Sequence, residues 1–289
     1  MVRAGLVFFF SWLLVGCLKT TDSIDPNRLA ADRQSKLYVL CFISPQDTLL
    51  TAKVAMSEPQ IIATLEPTLL VKTATVTLSD GQASIPLLYS DSLGYYVTRP
   101  LGRFRIRAGQ TYQLTVSMGD DRRVQATATV PPAIPIGQVR IDSSILAQTG
   151  NRTSIRYTTT IDWASPGGLN YYRGWGELTQ TIQTQQGRLP ETRISRPDFF
   201  VLRENNTGPG PYSTTGSFTL TVTPGSLVRT ARTRFGLFNT DQNYYQYHAT
   251  LREQLNTPNS LFAGTPVLFS NMEGGYGVFA AYNATYISR

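Results

Sequence analysis

Strand-like patterning runs along much of this chain from Leu37, mostly as alternation of apolar and polar residues with period two. Residues 37–43, LYVLCFI, are apolar at every position, the pattern of a central strand buried on both faces. In residues 73–78, TATVTL, Ala74, Val76 and Leu78 share one face and three threonines the other. Ser79-Asp80-Gly81-Gln82 then supplies a turn. The alternation returns at Tyr112, Leu114, Val116 and Met118, turns at Gly119-Asp120-Asp121, and is answered by Val124, Ala126, Ala128 and Val130. Short strands punctuated at this spacing predict a β-sandwich of immunoglobulin or prealbumin type over residues 36–130.

Pro131-Pro132-Ala133-Ile134-Pro135 interrupts the pattern. Proline lacks the ladder donor and fixes φ, so residues 131–137 are expected to link two domains. The block 138–289 is again β-rich. Ile155, Tyr157, Thr159, Ile161 and Trp163 define one strand face, and residues 217–222, 227–238 and 277–287 predict further strands. Thr207-Gly208-Pro209-Gly210-Pro211 predicts an exposed loop. One segment changes period: over residues 241–255, Tyr244, Tyr247, His248, Leu251 and Leu255 recur at helical spacing. Thr240 or Asp241 is placed to cap that helix, and Pro258 to stop it. The predicted class is mostly β, with two sandwich-like domains, the second carrying the helix.

The N-terminus follows a different logic. Arg3 precedes an apolar run, GLVFFFSWLLVG, of about a dozen residues, the length of a signal-peptide core. A spanning helix needs roughly 20. The run ends Leu14-Val15-Gly16-Cys17, which resembles the bacterial lipobox, where small residues precede the cut and a thiol after it takes a diacylglycerol. Residues 1–16 are therefore expected to be a signal peptide, Cys17 the lipidation site and membrane attachment point, and residues 17–35 a tether. Multiple acyl chains hold a protein at a membrane where one does not. Leu18 follows the cysteine, and not the Asp of an inner-membrane retention signal, which favours the outer membrane. Lys19, Asp22 and Asp25 resemble a surface-export tether, and a solvated linker explains them equally.

Composition narrows the picture. Charged residues make up only 16% of the chain, and 15 Tyr and 13 Phe stand among many Thr, Ser, Gln and Asn, a composition suited to exported β-structure. Beyond Cys17 the only cysteine is Cys41. It has no internal disulfide partner and sits in an apolar strand as a small buried residue. The formal charge of +7 is carried mostly by arginine. For an exported protein this points away from nucleic acid and toward anionic glycans, lipid head groups or an acidic protein surface.

Candidate chemistry is sparse. With one histidine and no Cys-x-x-Cys or calcium-loop motif, no metal or cofactor is called for. His248 lies on the apolar helix face without a nucleophile elbow, as a core or interface histidine does. Paired carboxylates for glycoside hydrolysis would meet only in three dimensions. Gly274-Gly275-Tyr276-Gly277 lacks the context of a phosphate loop and suits a turn. In RFRIR, Arg103, Arg105 and Arg107 alternate with Phe104 and Ile106. On a strand this makes a guanidinium stripe, either a docking surface for anionic groups or an edge guarded against sheet pairing.

The ending LFSNMEGGYGVFAAYN, residues 268–283, resembles the terminal signature of a Bacteroidota outer-membrane lipoprotein family known as domain of unknown function 4249. TATVTLSDG, GYYVT, AGQTYQLTVS and ATATVPPAIPI, in that order, resemble the family's N-terminal sandwich. The resemblance implies an outer-membrane lipoprotein without a known activity, from a family whose members are typically encoded beside TonB-dependent receptors. The expected function is thus a non-enzymatic accessory or ligand-capturing partner of such a receptor. A surface hydrolase and an adhesin or envelope scaffold are the alternatives. Phe269, Tyr276, Phe279, Tyr282 and Tyr286 join the helix tyrosines in a C-terminal aromatic surplus. The segment 269–279 and the adjoining helix edge are expected either to face a partner, with Tyr245 and Tyr276 exposed, or to be wholly structural.

Overall fold

The computed structural model describes residues 35–57, 69–100, 102, 104–119, 122–184, 189–206, 208–257 and 267–289. Cys17, the leader, most of the tether, Arg103, Asp120-Asp121 and Pro258 lie outside them. Among the described residues, no helix is long and apolar enough to cross a membrane.

The first seven strands are β1 (Leu37–Ile43), β2 (Leu50–Met56), β3 (Thr75–Ser79), β4 (Ser84–Ser90), β5 (Tyr95–Thr98), β6 (Thr111–Met118) and β7 (Arg122–Thr129). The alternation sets their facing as expected. Val76 and Leu78, then Tyr112, Leu114 and Val116, then Val124, Ala126 and Ala128 are all buried in one core with Val39, Cys41 and Val54. Tyr112 is locked by more than burial. Its hydroxyl donates to the Arg105 carbonyl at 2.7 Å and accepts from the Arg107 amide at 2.8 Å, a tyrosine corner of the immunoglobulin kind. RFRIR thereby differs from its expectation: residues 104–107 join no strand ladder. The facing still holds, with Phe104 and Ile106 buried and Arg105 and Arg107 exposed.

The second block contains β8 (Gln138–Thr149), β9 (Arg152–Ser165), β10 (Gly168–Gln183), β11 (Glu191–Ser195), β12 (Val201–Asn206), β13 (Gly210–Val222), β14 (Leu227–Thr240), α1 (Gln242–Asn256) and β15 (Tyr276–Ser288). Gly210 and Pro211 begin β13, so the expected loop is shorter than 207–211. Strands β13-β9-β8 form a three-stranded sheet. It packs through Ile161 and Trp163 on Tyr172, Leu178, Phe235 and Leu237 of the larger sheet. Phe199 wedges between the layers where Gly174 and Gly216 leave room, since a Cβ at either would lie within 2.7 Å of its ring.

The two blocks are not independent. The larger sheet runs β11-β10-β14-β15-β1-β2-β5-β4-β3-β6-β7. Its continuity depends on β15, which pairs antiparallel with β14 and parallel with β1. Met272, Phe279 and Ala281 complete the core of the first sandwich. Residues 131–137 contain no strand, as expected, yet they are held fast and do not act as a free linker. Asn283 and Asn239 donate to the carbonyls of Pro131 and Pro132, Thr285 donates to that of Ile134, and the Ile134 side chain enters the second core. The residues 36–289 therefore form one compact unit.

Candidate binding face and adjoining pocket

Strand alternation places Tyr172, Leu178 and Ile182 of β10 in the inter-sheet cores and turns Tyr171, Arg173, Trp175 and Glu177 to the opposite face. The register then sets Trp175 beside Gly236 and Gly236 beside Tyr286. With no side chain between them, the two rings approach edge to face at 6.1 Å. Phe238 meets Tyr286 at 6.0 Å and stacks on Tyr282 at 5.0 Å. The Arg234 guanidinium lies 4.5 Å from the Tyr286 centroid and 5.7 Å from Trp175, cation–π distances. A row of aromatics and one arginine thus crosses three strands. Tyr286 and Arg234 are exposed, and no described carboxylate pairs with Arg234.

Further along the same face α1 covers the sheet. Tyr244 and Tyr247 are buried against Val278 and Ala280. Asp241 caps the helix, accepting from Tyr244 N at 2.8 Å and Ala281 N at 2.9 Å. His248 stacks on Phe42 and Tyr244, and the Arg173 guanidinium reaches Tyr244 Oη at 2.9 Å and the imidazole at 3.3 Å. Burial, helped by the Arg173 charge, pushes the imidazole pKa down to about 3. A neutral ring packed this way is structural, as expected of His248. Leu255, expected on the buried face, is exposed, and the buried helix residues are Tyr244 and Tyr247 nearer its start.

Tyr282 joins the aromatic row to a pocket. Its hydroxyl donates to Asp47 Oδ1 at 3.3 Å. Asp47 lines a pocket of about 300 Å³ with Pro45, Gln46, Thr48, Arg99, Pro100, Arg105 and Ile106. Burial raises the Asp47 carboxyl to about 6, against the lowering effect of the Tyr282 bond. A second pocket, of about 180 Å³, is lined by Gln113, Gln125, Thr127, Asn243, Asn271 and Glu273. Its amides already serve the fold. Gln125 bonds Glu273, and Asn243 and Asn271 bond the Thr127 carbonyl. Among the described residues, no group of three His, Cys, Asp or Glu could hold a metal ion.

The model of a family described as a domain of unknown function, number 4249, matches residues 21–288. The chain belongs to that family. No curated protein matches it. In this member of the 4249 family, the glycine-rich ending has a structural explanation. Gly274 and Gly277 have φ of 82° and 113°. A Cβ on Gly274 would lie 2.6 Å from the Arg123 carbonyl oxygen, one on Gly275 2.5 Å from that of Leu37, and one on Gly277 would overlap that of Val39. Asn271 clips the segment by donating to Phe279 O and accepting from Phe279 N.

The residues singled out from the 4249-family sequence are not gathered into one site. Tyr276 is 47% exposed at the start of β15, with Lys36 over its ring at 5.2 Å. That is ten residues, about 33 Å of strand, from Tyr286. Tyr245 is half-buried against Tyr171 at 5.0 Å. Arg105 lines the pocket, and Arg107 is exposed outside its lining. Trp175, Arg234, Phe238, Arg99 and Asp47 were not singled out. The signal for the first three lies in the sequence as spacing: Arg173 and Trp175, and Arg234, Gly236 and Phe238, stand at two-residue intervals, and Tyr282 and Tyr286 at four, so that each set shares one strand face. No local feature pointed to Arg99 or Asp47.

Proposed function

We propose that this chain is a non-enzymatic outer-membrane lipoprotein, anchored through a lipid on Cys17. It acts as an accessory or ligand-capturing partner of a TonB-dependent receptor and meets that partner through the outer face of β10, β14 and β15. The observation that carries the docking part is the row of Trp175, Arg234, Phe238, Tyr282 and Tyr286, in which Arg234 and Tyr286 are exposed and the other three half-buried. Trp, Tyr and Arg dominate the energetics of protein interfaces because they bring large contact area and polar handles at little entropic cost. Each of the two pockets presents a single carboxylate, Asp47 or Glu273. This favours binding over the hydrolase reading, which needs a pair.

The test is co-purification of the tagged, lipidated protein with its receptor from detergent-solubilised outer membranes. The double variant Trp175→Ala, Arg234→Gln is expected to lose the receptor. Its thermal stability should fall by no more than about 2 kcal/mol, since Arg234 is exposed and Trp175 half-buried outside the cores. Full retention of the receptor by this variant would remove the face from the proposal.

A further inference from the structure

The Asp47 pocket lies where the turn after β1 meets Arg99, Pro100, Arg105 and Ile106. Its two cations, Arg99 and Arg105, are both exposed. Neither has a carboxylate within ion-pair distance among the described residues, whereas Arg140, Arg193, Arg196 and Arg252 each do. Pro45, Pro100 and Ile106 supply apolar lining, and Thr48 a hydroxyl. We propose that this pocket binds a small organic anion, a carboxylate or phosphate ester, whose charged group is held by Arg99 and Arg105 while its carbon body rests on the two prolines and Ile106.

Three features carry the inference. The first is chemistry: guanidinium groups recognise carboxylate and phosphate through directed, charge-assisted hydrogen bonds. The second is size. A volume of about 300 Å³ stands at the lower end of small-molecule sites, which run from roughly 300 to 1,000 Å³. The third is rigidity. Arg105 is held by the Tyr112 hydroxyl on its own carbonyl and by buried Phe104 and Ile106 on either side. The facing turn is held by Gln46, whose amide donates to Asn283 Oδ1 at 2.9 Å and whose oxygen accepts from Ala284 N at 3.0 Å. A wall that does not move on binding loses less entropy to ordering.

Asp47 gives the site a pH dependence. It lines the pocket together with Arg99 and Arg105, bonds Tyr282 and lies within electrostatic reach of Tyr286 of β15 and Cys41 of β1. As pH rises through about 6, its carboxyl ionises and repels the incoming anion. The electrostatic penalty it places on a bound anion should therefore grow between pH 5 and pH 8.

Calorimetric titration of the full lipidated protein in detergent, with glutarate, glycerol 3-phosphate and neutral glycerol, tests the proposal. One or both anions should bind, and glycerol should not; which anion binds distinguishes the carboxylate from the phosphate source. Arg105→Gln, on an exposed side chain, should weaken binding by about tenfold or more, as loss of a charged hydrogen bond does. Asp47→Asn, which keeps an acceptor for Tyr282, should strengthen binding over the native protein at pH 8 and change it little at pH 5, a comparison in which the anion's own ionisation cancels. Arg99→Gln provides a second loss variant should Arg105→Gln prove unstable. No heat from either anion at millimolar concentration, or binding indifferent to both arginines, overturns the site. Binding only to phosphatidylglycerol vesicles, unaltered by Arg105→Gln, does so too.

Discussion

At Gly277 the backbone passes so close to Val39 that no Cβ fits, at a φ of 113° that side chains avoid. Gly81 is a control: its φ is 87°, but nothing lies within 4 Å of a Cβ there. Gly81→Ala should cost about 1–2 kcal/mol from the left-handed backbone alone. Gly277→Ala should cost more than about 3 kcal/mol, because β1 and β15 must also move apart. Equilibrium denaturation of the two variants separates the terms, and equal losses would contradict the close approach. The sequence displayed these glycines plainly. Their reason was hidden, since it lies in the carbonyls of Leu37, Val39 and Arg123, more than 150 residues upstream. Arg105 shows the reverse case. Alternation alone oriented it outward, and only tertiary placement against Pro45–Thr48 revealed the pocket.

The helix was the most legible element, because a 3.6-residue period breaks visibly from a period of two. Residues 241–255 were expected and Gln242–Asn256 is helical, capped by Asp241. Periodicity could not reveal what the helix lies on. His248 meets Phe42 of β1 and Arg173 of β10, two strands that become neighbours of α1 only through β15. That packing has a titratable consequence. The folded imidazole sits at about 3 against an ordinary value of 6.5, so the unfolded chain takes up its proton first as pH falls. The stability contributed by neutral His248 is complete above pH 6.5 and is lost as pH drops from there toward 3. His248→Phe keeps the ring on Phe42 and removes the titration. Between pH 7 and pH 4 the wild type should therefore lose more stability than this variant, by urea denaturation. Parallel pH profiles would show that His248 is not buried neutral. The aromatic row on β10, β14 and β15 was less legible than the helix. Each strand carries only part of it, and the alignment of Trp175, Gly236 and Tyr286 is a matter of register between strands distant in sequence.

At the scale of the molecule, local pattern identified the sandwiches but not their dependence on one another. The proline run at 131–135 breaks the alternation as a domain linker would. What it cannot signal is that the final strand returns to the first sandwich. Parallel pairing of β1 with β15 joins residues about 240 positions apart, and no local pattern encodes such a contact. The consequence concerns fragment 36–137, which contains every strand of the first sandwich from β1 to β7. It lacks Phe279, fully buried in that core, together with Met272 and Ala281. Removing one buried phenylalanine ring costs about 3–5 kcal/mol, comparable with much of a domain's net stability of about 5–15 kcal/mol. The fragment also leaves one edge of β1 without its ladder. It should therefore give a collapsed amide proton spectrum and no cooperative thermal transition. Residues 267–289 attached through a flexible glycine–serine linker should restore dispersion, since they return β15, the Asn271 clip and the missing core side chains together. A dispersed spectrum and a sharp transition from 36–137 alone would show instead that the first sandwich is self-sufficient and that β15 merely rests on it.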